Sequence, residues 1–189
     1  MKRFSAVTKN LFFLTIALFL MNGCATNLSK PTAAPQPAKA KLGGFSAVEM
    51  KTVGISEQFG TSEANQKARR KIDEVLFREM ATVFSGLKRV EEGSDFTKSN
   101  VRTLQITPHI KEIKFISGGA RFMVGAMAGS SAVLMQVTMR DSETGEVIAD
   151  PEFYRDANAY SGGWSIGATD NKMLEDIARD IVQYSSMNK

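Results

Sequence analysis

Cys24 is the only cysteine of the 189-residue chain, and an apolar run, Leu11 to Met21, ends just ahead of it, broken only by Thr15. One thiol excludes an intramolecular disulfide and any multi-cysteine zinc site, so the folded part must be held by its own core. Ahead of the run, Met1 to Asn10 carries Lys2, Arg3 and Lys9 and no acid. A basic start, an apolar stretch of roughly 7–15 residues and a small residue before the cut make a secretory signal peptide. Crossing ~30 Å of hydrocarbon takes about 20 apolar residues, and this run is too short for that. A buried core helix fits less well than an export signal, because the segment opens on basic residues and lacks caps.

Leu20-Met21-Asn22-Gly23-Cys24 resembles the lipobox of bacterial lipoproteins. In those proteins the thiol takes a diacylglyceryl group, cleavage follows the residue before it, and the new amino terminus is acylated. The resemblance implies a cut between Gly23 and Cys24 and lipidation of Cys24, the covalent lipid being the one prosthetic group expected. Met21 and Asn22 depart from the Leu and the Ala or Ser usual at those places. Ala25, rather than Asp, resembles lipoproteins sorted to the outer membrane. A single acyl chain anchors only marginally at ~0.8 kcal/mol per buried CH₂, whereas three give stable residence in the bilayer. A plain secreted protein with a stray cysteine is the alternative.

The formal charge of +4 suggests nucleic acid until it is located. Lys2, Arg3 and Lys9 leave with residues 1–23, so most of the excess belongs to the export signal. No nucleic-acid partner is expected. With 43% apolar and 23% charged residues the chain has globular composition. Residues 24–41 hold Pro31, Pro35 and Pro37 and no large apolar residue except Leu28. Such a stretch buries too little to offset ordering entropy and reads as a flexible spacer holding the folded part off the bilayer.

Residues 42–189 read as one domain. Val48, Met50, Val53 and Ile55 alternate as a strand, and Gly60-Thr61 opens a helix capped by Thr61 or Ser62. Ile72, Val75, Leu76, Met80, Val83, Phe84 and Leu87 recur at helical spacing, with the end expected near Ser85 to Lys88. Val101 to Ile116 is strand-like, and Pro108 predicts an edge position or a bulge near Lys111. Ser131 to Asp141 alternates cleanly, Ser142 to Gly145 turns the chain, and a strand broken at Pro151 returns. Thr169 is read as the cap of a last helix with Met173, Leu174, Ile177 and Ile181 on one stripe. The expected fold is α+β: a mixed, mainly antiparallel sheet of about four to five strands with two helices packed on it.

Three features could carry chemistry. Gly163-Trp164-Ser165-Ile166-Gly167 fits the nucleophile-elbow pattern, but no histidine follows Ser165. His109 lies upstream, leaving only a His…Asp…Ser order with Asp141 or Asp150, on a scaffold this domain is too short to form. Met123, Met127, Met135 and Met139 could hold Cu(I), yet the latter two sit on the inward phase of a strand, where methionine fills core gaps. The run Lys67-Ala68-Arg69-Arg70-Lys71 reads as a solvated helix face, with contact to anionic lipid or peptidoglycan as the alternative. No catalytic residue, cofactor or metal is assigned.

Ser117 to Ser131 is the most unusual segment: too short to span a membrane, without a dinucleotide fingerprint, and without the Lys of a phosphate loop. It is a Gly-loosened connection, a packing surface for another subunit or membrane partner, or an anion-binding run of amides. Its candidate interaction residues are Gly119, Arg121, Phe122, Gly125 and Gly129.

From Gly118 to Ile148 the chain resembles the DUF4410 family of uncharacterised bacterial lipoproteins. The shared pattern is Gly-x-x-Arg, a small-residue stretch, an alternating strand, then Asp-x-x-Thr-Gly before another strand, here Asp141 to Gly145. Ala126 and Met127 stand where the family has more glycine. The resemblance implies a lipid-anchored α+β domain and no known activity. The function expected is a non-catalytic binding or assembly domain on an outer-membrane lipoprotein, facing the periplasm, with an envelope protein as partner. The alternatives are a subunit of a homo-oligomeric pore or ring, and a hydrolase using Ser165.

Overall fold

The computed structural model describes residues 28–98, 100–116, 130–157 and 168–189. A short 3-10 turn, Leu42–Gly44, leads into β1 (Ala47–Lys51), β2 (Gly54–Ile55), α1 (Glu57–Gly60) and α2 (Glu63–Val83). Then come β3 (Lys88–Val90), β4 (Thr103–Lys114), β5 (Ala132–Asp141), β6 (Val147–Ala149), β7 (Glu152–Asp156) and α3 (Ala168–Met187). The sheet runs β3-β1-β4-β5-β6, with β2 also on β4 and β7 also on β5. β4 and β5 form the long antiparallel hairpin at its centre, whereas β1 and β2 lie parallel to β4.

The α+β class holds, but the sheet has seven strands, not four to five, and the described residues form three α-helices, not two. Local chemistry breaks two strands. Between β1 and β2, Val53 turns its N–H to Asp73 Oδ1 at 2.9 Å and Thr52 donates to the Val90 carbonyl, so the ladder with β4 lapses. Between β6 and β7, Pro151 has no N–H to give, although its carbonyl still accepts from Val137 at 3.0 Å. The third helix, α1, is a single turn.

Pro108 lies in the central strand β4 rather than at an edge. Val137, its register partner, donates its N–H to Pro151, away from β4, so the nitrogen of Pro108 points toward the β1–β2 side. There the ladder skips from Ile106 to His109, and the missing donor faces that interruption. The expected bulge falls between Ile110 and Glu112, at Lys111.

Ser62 caps α2, accepting from the Asn65 N–H at 3.4 Å. The helix stops at Val83, short of the expected end, because Phe84 is extended and Gly86 follows at φ 78°. In α3, Thr169 is the second helical residue rather than the cap. Both long helices cover one face of the sheet. Ile72, Leu76 and Met80 from α2 and Leu174, Ile177 and Ile181 from α3 meet Met50, Leu104, Ile106, Ile110, Met135 and Met139, all essentially inaccessible to solvent. Burial of each such side chain stabilises the fold by roughly 1.5–3 kcal/mol.

Candidate functional site

Gly23, Cys24, Gly119, Arg121, Phe122, Gly125, Gly129 and Ser165 lie outside the described residues, as do Met123 and Met127. The candidate acids and base within them are each engaged elsewhere, and none bonds another. His109 Nε2 is 3.1 Å from Ser56 Oγ. Asp141 takes the Arg102 guanidinium, Nε at 2.9 Å and Nη2 at 2.7 Å. That hydrogen bond, with the Glu143 N–H, holds the Asp141 carboxyl below its usual range. Asp150 accepts from Gln136 Nε2 and Thr138 Oγ1, both at 2.7 Å. Met135 and Met139 are core filler, wholly buried under the helices. Among the described residues no group of three or more His, Cys, Asp or Glu could hold a metal ion, and no helix is long and apolar enough to cross a membrane.

The basic run on α2 is largely neutralised. Lys67 meets Glu63 at 2.8 Å, Arg69 meets Glu92 at 2.8 Å, and Lys71 meets Glu175 at 3.7 Å.

What the fold does assemble is the sheet face away from the helices. Alternation puts Gln105, Thr107 and His109 of β4 on it, opposite Arg140, Thr138 and Gln136 of β5 in three successive cross-strand register pairs. None of the six is deeply buried, and no described helix lies over them. The surface offers amides, hydroxyls and an imidazole, with one guanidinium and the Asp150 carboxylate beside it. At the β2 end, Gly54 is required by the His109 ring: a Cβ there would lie 2.7 Å from Nδ1. Burial lowers the pKa of His109; Glu92 opposes that shift and Lys111 adds to it.

Residues 29–39 border this face, with contacts that composition does not reveal. They run beside β6, β7 and the C-terminal half of α3, roofing a cleft of about 710 Å³ with Leu134 and Ile148 on its walls beside Lys111, Glu112, Asp150 and Glu152. A second groove of about 420 Å³ lies against Tyr154, Tyr184 and Met187. Phe153 and Tyr184 meet edge-to-face at 5.8 Å beneath it. Desolvation raises the pKa of both tyrosines. Sequence reading missed these residues, although Tyr184 falls three positions after Ile181 and so belongs to the apolar stripe of α3.

No family model matches the chain, and no curated protein matches it. Solved structures with some likeness include the PelC dodecamer from Paraburkholderia phytofirmans, at 14% identity and a TM-score of 0.45 over 81% of this chain and 94% of that one. A DUF330 protein from Xanthomonas campestris reaches 0.46 at 7% identity, over 82% and 95% of the two chains. A minor lipoprotein from Acinetobacter baumannii reaches 0.30 at 11% identity, over 74% and 93%. At these values none of them carries a role over to this chain.

Proposed function

We propose that the chain is a bacterial outer-membrane lipoprotein of the DUF4410 type, whose α+β domain faces the periplasm and binds another envelope protein without catalysing a reaction. The basic start, the apolar run and Gly23-Cys24 support the anchor. The observation that carries the binding role is the sheet face that no described helix covers, with its three polar cross-strand pairs, His109–Gln136, Thr107–Thr138 and Gln105–Arg140. Antiparallel sheets commonly leave one face to water. This one is rich in neutral hydrogen-bonding groups and poor in net charge, which suits a protein surface better than a phosphate-bearing one. The engagement of His109, Asp141 and Asp150 by separate partners supports a non-catalytic role.

Photo-crosslinking in intact cells tests the reading. A photoreactive residue at Thr107 or Thr138 is expected to capture one envelope protein, and Arg140→Glu to abolish the adduct. Equal capture from Lys67, on the outer side of α2, would contradict it. Adducts joining two copies of this chain would favour the pore or ring instead. Ester hydrolysis lost on Ser165→Ala would favour the hydrolase.

A further inference from the structure

The proline-bearing segment is bonded to the domain at intervals along its length. Ser29 donates its N–H to Glu112 Oε2 at 2.9 Å, and Tyr184 donates its hydroxyl to the Gln36 carbonyl at 2.9 Å. Ala38 donates to Asn188 Oδ1 at 2.8 Å, and Lys39 to the Ile148 carbonyl of β6 at 2.9 Å. The Lys30 ammonium stands 5.8 Å from the centre of the Tyr154 ring. The Lys39 bond falls on an edge strand, whose free groups would otherwise be open to pairing with another chain. Pro31, Pro35 and Pro37 already favour extended backbone, so laying the segment down orders it at little entropic cost. An extended proline-rich strand against tyrosine rings is a recurrent mode of peptide recognition.

We propose that this groove is a binding site for the chain's own segment 29–39, and that docking and release of the segment set how far the domain stands from the membrane. The proposal rests on Cys24 being the lipid anchor. With the segment docked, Ser29 is the first fixed residue, and the chain from Cys24 can span at most about 18 Å at ~3.6 Å per residue. On release the fixed point moves to Leu42, which is fully buried and donates to the Asn188 carbonyl at 2.9 Å. The chain from Cys24 then spans up to about 56 Å at the ~3.1 Å rise of a polyproline helix. The difference, roughly 40 Å, is larger than the ~30 Å hydrocarbon core of a bilayer. A docked domain is confined to partners at the membrane surface; a released one reaches those well beyond it. Docking also imposes polarity: the Glu112 end of the β4–β5 hairpin is held near the anchor, and the turn at Glu143 is remote, about 30 Å along the strands.

Energy transfer to labelled headgroups reads both consequences. The full lipidated chain is placed in phosphatidylethanolamine–phosphatidylglycerol vesicles, with one dye at Lys114→Cys or at Glu143→Cys. Strong transfer from position 114 and weak transfer from position 143 are expected. Ser29→Pro, Ala38→Pro and Lys39→Pro together remove the segment's three backbone donors to the domain, and should bring the two transfers to one low value. Equal transfer from both positions in the unsubstituted segment would overturn the proposal. Hydrogen exchange on the same chain needs no substitution: slow exchange at the Ala38 and Lys39 amides is expected, and fast exchange at both overturns docking. Co-sedimentation with the vesicles is scored separately. A chain that stays in the supernatant contradicts the anchor, while the exchange result still decides docking.

Discussion

Gly54 is set by one ring. The His109 imidazole stands where its Cβ would be, at 2.7 Å from Nδ1, and the ring is held on its other side by Ser56. Gly54→Ala is therefore expected to destabilise the fold by about 1–3 kcal/mol, the usual cost of overpacking, read as a lower midpoint in urea unfolding. The same burial makes His109, the only histidine, resist protonation in the folded state. Because its folded pKa lies below the unfolded value, the unfolded chain binds the proton more readily. The contribution to stability is full above about pH 6.5 and is lost as the pH falls from there through the folded pKa. Melting temperature should drop over that window, and His109→Gln should flatten the drop. Little of this was legible in the sequence. Ser56 and His109 are 53 positions apart, and a lone histidine beside a proline gives no sign of the serine it will meet.

At the scale of elements, the helices were legible because their apolar stripes repeat at 3.6 residues, and β5 because Met135, Val137 and Met139 alternate with Gln136, Thr138 and Arg140. Strand number was not. A strand interrupted by a side chain reaching in from elsewhere, as Asp73 does at Val53, looks continuous in its own residues. Periodicity also names no neighbour, so the parallel pairing of β1 and β2 with β4 could not be read. The core joining α2 to the sheet makes a sharp prediction. Leu76 is fully buried there, so Leu76→Ala should cost about 2–5 kcal/mol, whereas Thr107→Ala on the open face should stay within ~0.5 kcal/mol. Urea titrations of the two variants compare them directly. Similar losses from both would mean that the open face is packed as tightly as the core.

For the whole molecule, charge and address are one matter. Three lysines and arginines of the first ten residues supply most of the formal excess of +4, and the chain they direct is expected to end its export at Cys24. The anchor was legible because basic start, apolar run and thiol are contiguous; the seat of the proline-bearing segment on Tyr184 and Asn188 was not, because those partners lie about 150 positions away. The reach of the segment and the place of the domain in the envelope presume a chain tethered at that cysteine. Intact-mass measurement of the protein extracted from membranes tests this most directly. The expected species begins at Cys24 and carries a diacylglyceryl thioether and an acylated amino group. A chain that still begins at Met1, or one with a free Cys24 thiol, would contradict it.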